Sequence, residues 1–136
     1  MEVRVQHITG VPFEASARSH RIITDQPAET GGADRGMTPP EFLLASLGTC
    51  AGYYVAEYLR ARSLPVEGLS ISVSAEKALQ PPRLAAFRIE VDAPGARDEK
   101  SREGVLRAVK KCLIHNTMLN APQFDIVVAT PEPAAV

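Results

Sequence analysis

The sequence predicts an α+β fold in the order β-β-β, long helix, β-β, helix, β. Three observations predict it. Residues 38–63 (TPPEFLLASLGTCAGYYVAEYLRARS) form one apolar run behind a helix-start signature. Short stretches on both sides of that run alternate apolar and polar residues with period two. A shorter amphipathic stretch follows at about 99–114.

The opening strands come first. Residues 2–7 (EVRVQH) alternate and Thr9-Gly10 breaks them. Residues 13–18 alternate again, Ser19-His20 turns, and residues 21–24 continue, which predicts a three-stranded meander. Residues 25–37 (DQPAETGGADRGM) are a Gly- and Pro-rich loop. Its GGADRG stretch lacks the Lys-Ser/Thr of a phosphate-binding loop and reads as a turn needing positive φ.

The long helix is predicted over about 39–62. Thr38 is the N-cap, Pro39 and Pro40 occupy the first helical positions, and Glu41 stands three residues after the cap, as in a capping box. From Phe42 to Leu59 nearly every position is apolar or small, which predicts a helix buried on all sides. Cys50 shares a face with Leu43, Leu47, Tyr54 and Tyr58. The opposite stripe is small: Ala45, Ser46, Thr49, Gly52 and Ala56. Gly48 and Gly52 each cost about 1 kcal/mol in a helix interior, so close approach of another backbone, a second helix, is expected there.

After Leu64-Pro65, residues 68–77 and 84–91 alternate around Gln80-Pro81-Pro82 and predict a long hairpin. Asp98 can cap the second helix, which is expected to run to Cys112 or His115. Its apolar stripe would be Val105, Leu106, Val109, Cys112 and Leu113. Residues 116–122 are then a turn, 124–128 a final strand, and the last residues a frayed tail.

Bulk properties narrow the function. The chain has 136 residues, 15 basic and 16 acidic side chains interspersed, and a net charge of −1. It is expected to be one domain, 1–136, with no nucleic-acid face and no anionic-membrane surface. The N-terminus has no apolar h-region, and the longest apolar run, residues 42–56, is too short to span a bilayer, so a soluble cytoplasmic protein is expected. In that compartment Cys50 and Cys112 are thiols rather than a permanent bridge. About six strands in two groups cannot enclose a helix that is apolar all round, so a homodimer sharing its sheets around paired helices is expected.

Four features bear on chemistry. Cys50 and Cys112 lie on the apolar stripes of the two helices and can face each other. Free cysteine is also a common buried packing residue, and that reading stands beside the redox one. Glu41 has a sufficient role as a cap and can also orient an arginine toward a thiolate. His115 follows Cys112 by one helical turn, and His20 sits at a strand turn. With no CxxC or HExxH, no metal is expected; a small site at Cys112 and His115 is the remaining metal reading.

The stretch GMTPPEFLLASLGTC (36–50), behind a Gly-Gly loop, resembles the first-cysteine motif of the OsmC/Ohr family. CLIHNTMLNAPQFDIVV (112–128) resembles its second-cysteine motif and last strand, and the likeness runs from about residue 13 to residue 128. The resemblance implies an intertwined α+β homodimer and a thiol-dependent peroxidase of organic hydroperoxides. Cys50 would be the peroxidatic thiolate and Cys112 the resolving thiol, with no cofactor. An external dithiol, lipoyl-type or thioredoxin-like, would reduce the disulfide. Glu41 resembles the family's active-site glutamate, displaced by one place because gapless alignment on Cys50 puts that glutamate on Pro40. The family's activating arginine falls near Gly10-Val11, leaving Arg4, Arg18, Arg21 and Arg35 as candidates to replace it. The alternative function is a non-catalytic dimer holding an apolar small molecule at its interface, motivated by the stripe around Tyr53, Tyr54 and Tyr58.

Overall fold

In the computed structural model, which describes residues 1–135, the predicted α+β order holds with one element lost and one gained. Strands β1 (Arg4–His7), β2 (Phe13–Ala17) and β3 (His20–Thr24) form an antiparallel meander in that order. Phe13 pairs with both His7 and Thr24. Helix α1 (Pro39–Ala61) follows the loop, then the hairpin β4 (Ser70–Leu79) and β5 (Pro82–Asp92), then α2 (Glu99–Lys110) and α3 (Leu113–Leu119). The hairpin register runs from Ser70 opposite Asp92 to Leu79 opposite Pro82, with an irregularity between Ser74 and Glu76.

The loop before α1 is built on one buried carboxylate. Asp25 accepts the backbone N–H groups of Gln26 (2.8 Å), Ala33 (3.2 Å) and Arg35 (3.1 Å). The Gln26 N–H foremost, opposed by burial and aided by the Arg35 and Ala33 N–H groups, holds the carboxyl below its ordinary pKa. Gly31 (φ +92°) and Asp34 (φ +53°) supply the left-handed turns that the GGADRG stretch predicts.

Helix α1 starts as expected. Thr38 Oγ1 accepts from the Glu41 N–H, and the Glu41 carboxylate accepts the Thr38 N–H at 2.8 Å, closing a capping box. The core lies where α1 meets α2: Ala51, Val55 and Leu59 pack with Val105, Ala108 and Val109, and Ala96 closes one end. Asp98 caps α2 through the Ser101 N–H at 2.7 Å.

Four expectations are corrected. The second helix does not continue to residue 114: α2 ends at Lys110, and Cys112 (φ −57°, ψ 127°) leaves helical geometry to become the N-cap of α3. No Gly or Pro marks this break. The buried stripe of α2 is also rotated from the predicted one. It runs through Ser101, Gly104, Val105, Ala108 and Val109, while Leu106 and Leu113 are exposed. The small side chains win that face because α1 approaches closely there. The small stripe of α1 meets a strand rather than a second helix: a Cβ on Gly48 would come within 3.1 Å of Val73, and one on Gly52 within 3.4 Å of Ile71, both on β4. Finally, residues 124–128 form no strand. Phe124, Ile126, Val127 and Val128 are all exposed, because alternation specifies a strand's two faces but supplies no neighbouring strand to pair with.

Within the chain α1 is covered along only part of its circumference. Leu47, Ala51, Val55 and Leu59 are buried, yet Leu43 and Tyr53 are exposed. Val3, Val5 and Phe13 of the N-terminal sheet are exposed as well. No helix among the described residues is long and apolar enough to cross a membrane.

Candidate active site

The two cysteines meet between α1 and α2. The helices run antiparallel in a matched register, with the Tyr58 ring against Gly104 and, eight positions earlier on α1 and eight later in the chain, Cys50 beside Cys112. Gly104 and Ala108 let α1 come close enough for this, because the Tyr58 phenol occupies the space a Gly104 side chain would need. Both thiols are free; Cys50 is partly open and Cys112 is fully buried.

The Cys112 thiol is raised above its ordinary pKa. Burial is the largest cause, and the side-chain hydrogen bond to Cys50 adds to it. The backbone N–H of His115, 3.5 Å from the sulfur, acts in the opposite sense. The buried member of the pair therefore stays protonated where the open one can meet a reagent.

The other predicted site residues divide. His115 is brought in through its backbone, which holds Cys112 at the start of α3. Its Nδ1 is buried without a hydrogen-bond partner. Glu41 is not brought to the thiols. Nine positions separate it from Cys50, about half a turn out of phase on a helix, so it lies on the other side of α1. There its carboxylate is committed to the cap, and the Thr38 N–H and hydroxyl hold its pKa below the usual value. Glu41 borders a separate hollow along Gly48, Gly52, Ile71 and Val73. Within the chain its carboxylate serves the helix cap. Among the arginine candidates, Arg21 faces Glu14 at 3.7 Å on the N-terminal sheet, and Arg35 lies on the Asp25 loop.

A groove that sequence reasoning missed lies alongside. It encloses about 670 Å³ and is lined by Leu43 and Leu47 of α1, Phe87 and Ile89 of β5, and His115 and Met118 of α3. Leu43 and Leu47 belong to the Cys50 stripe. The signal was present in that stripe, but the opposing wall depends on α3, which the sequence does not announce.

Comparison with known proteins agrees with this fold. The profile of the family described as OsmC-like protein matches residues 31–127. Among solved structures, an OsmC-like protein from Mycoplasma pneumoniae superposes with a TM-score of 0.74 at 20% identity, over 88% of this chain and 87% of that one. A Psychrobacter arcticus protein, described as belonging to an osmotic stress induced and detoxification response, gives 0.76 at 20% identity over 85% of each chain. An organic hydroperoxide resistance protein OsmC from Legionella pneumophila gives 0.62 at 15% identity over 88% of each. A search of the curated proteins finds no match. With the profile covering well over half of the sequence, including both cysteines, the chain belongs to the OsmC-like protein family.

Proposed function

We propose that the protein is a thiol-dependent peroxidase that reduces organic hydroperoxides in defence against oxidative stress. The observation that carries this reading is the Cys50–Cys112 pair: one partly open thiol beside one fully buried thiol. The Cys50 thiolate attacks the distal oxygen of ROOH, the O–O bond breaks, and the alkoxide leaves as ROH after taking a proton. Cys50 is then a sulfenic acid. The Cys112 sulfur attacks the Cys50 sulfur, water leaves, and a disulfide forms. A dithiol reductant, lipoyl-type or thioredoxin-like, exchanges with that disulfide and restores both thiols. No step requires a metal or cofactor. The hydroperoxide resistance relative from Legionella pneumophila supports the substrate class.

The working unit in this reading is a homodimer. A folded monomer of 14.6 kDa exposes about 6,900 Å², whereas this chain exposes 10760 Å². The excess is of the size an obligate two-chain interface buries. Its apolar parts, the outer face of α1, the N-terminal sheet and residues 124–128, are those a second copy would cover. The test of the activity is consumption of an organic hydroperoxide with a dithiol reductant. Wild-type protein turns over and Cys50→Ser loses the rate; full rate in Cys50→Ser overturns the mechanism.

The 670 Å³ groove favours a second reading, in which the family fold holds an apolar small molecule and the cysteines are spectators. Saturable binding of an apolar ligand by a protein that fails to consume hydroperoxide would select it.

A further inference from the structure

Cys112 serves two structures with one sulfur. It lies beside Cys50 in the thiol pair, and it is the N-cap of α3, where its Sγ accepts the His115 backbone N–H at 3.5 Å. The Ile114 N–H acts on the same sulfur. We propose that α3 is a redox-gated cover: the Cys112 thiol pins it in place in the reduced protein, and the disulfide with Cys50 releases it, opening the bridge to the external dithiol. The inference rests on the thiol cycle proposed above and adds to it a way for the oxidised site to be reached.

Helix α3 depends on that pin. Its seven residues are about half the length at which an isolated helix becomes even marginally stable. No Ser, Thr, Asp or Asn stands at its N-cap and no acid lies in its first turn, so the sulfur alone fills the capping place. The His115 ring adds no second tie, since its Nδ1 has no hydrogen-bond partner among the described residues. At the other end Asn120 Nδ2 donates to Asn116 O at 2.9 Å, a bond within the helix rather than an anchor to the rest of the fold.

The two roles of the sulfur compete. The Cys112 backbone is fixed at φ −57° and ψ 127°, so Sγ moves chiefly by rotation about Cα–Cβ. Bonding to Cys50 draws it from non-bonded contact to covalent distance. A cap bond already 3.5 Å long, to an atom that accepts weakly, is lost in that movement. What α3 guards is closed within a single chain. Cys112 and Leu47, the latter three positions before Cys50, are fully buried, and His115 and Met118 of α3 share the wall next to Leu47. A second copy leaves that burial unchanged.

Reduction resets the cover. A thiolate of the dithiol attacks the Cys50 sulfur, the S–S bond breaks, and its electron pair passes to Cys112, which takes a proton and regains the His115 N–H. The second thiol then attacks the mixed disulfide, freeing Cys50 and leaving the reductant oxidised.

The test uses full-length protein oxidised with diamide, which joins neighbouring thiols without any peroxidase step, and follows hydrogen exchange by mass spectrometry. Residues 113–120 are expected to exchange about fivefold faster in the disulfide form than in the reduced form, with residues 70–79 of β4 unchanged. Reduced Cys112→Ala is expected to show the same local acceleration. Reduced Cys112→Ser, whose hydroxyl is a good cap, is expected to stay as slow as reduced wild type. The proposal is overturned if the disulfide forms and residues 113–120 exchange as before, if β4 accelerates equally, or if the Ala and Ser variants behave alike. Failure of diamide to join the two sulfurs overturns it together with the thiol cycle. A released α3 in a protein that consumes no hydroperoxide removes the peroxidase reading and upholds the cover.

Discussion

Tyr58 of α1 lies on Gly104 of α2 so closely that no side chain fits between them, and this contact sets the register that places Cys50 opposite Cys112. Tyr58 lies on Gly104, and Tyr54 and Tyr58 both pack on the core cluster that contains Ala108. Filling the position separates the helices. Gly104→Val is expected to destabilise the fold by about 1–3 kcal/mol through overpacking, measured by denaturant unfolding. It is also expected to slow formation of the Cys50–Cys112 disulfide, because the two sulfurs are then held farther apart.

The capping box separates structural from chemical roles at the start of α1. Thr38→Ala is expected to cost about 1 kcal/mol of stability, read in the same unfolding experiment. Glu41→Gln is expected to leave the hydroperoxide rate unchanged, since the carboxylate faces away from the thiols and is committed to Thr38. A large loss of rate in Glu41→Gln would show that the carboxylate reaches the site.

Stability is expected to fall in acid for a defined reason. Asp25, Glu41 and Asp98 all have carboxyl pKa values depressed in the folded state by hydrogen-bond donors. Depression means that the unfolded chain binds protons more readily. The stabilisation is therefore fully present above the unfolded carboxylate values, about 3.9–4.3, and is lost as pH falls through the lower folded values. Asp25→Asn is expected to reduce the slope of stability against pH below about pH 4 and to loosen residues 25–37 in hydrogen exchange.

The exposed apolar surface predicts the assembly state. Sedimentation equilibrium is expected to give twice the chain mass of 14.6 kDa. Ile126→Asp, which places a charge in the unpaired C-terminal segment, is expected to shift the population toward monomer. A monomeric wild-type protein would remove the dimer.

Much of this was legible in the sequence because it rests on local chemistry. Thr38, Pro39, Pro40 and Glu41 mark the start of α1 without reference to anything distant, and the alternation around Gln80-Pro81-Pro82 marks the hairpin. The parts that were not legible depend on partners. The break at Cys112 follows from the buried sulfur taking the N-cap place, where no Gly or Pro signals it. Gly48 and Gly52 announced a close neighbour but not that it would be β4. Phe124 to Val128 carry a strand's pattern, yet no strand among the described residues pairs with them. The nearness of Cys50 and Cys112 was legible only in part: Val105 and Val109 of the expected stripe are buried, but Cys112 belongs to the start of α3 and not to α2. The separation of Glu41 from Cys50 within one chain was foreseeable, since nine residues along a helix place two side chains on opposite sides.

The most direct measurement is the redox state of the two sulfurs after one equivalent of an organic hydroperoxide is added to reduced protein, read by mass spectrometry of peptides prepared without reductant. The account predicts one alcohol released and one Cys50–Cys112 disulfide formed per hydroperoxide consumed, with Cys112→Ser stopping at a Cys50 sulfenic acid. Unreacted thiols under these conditions, or a disulfide formed only between chains, would contradict it.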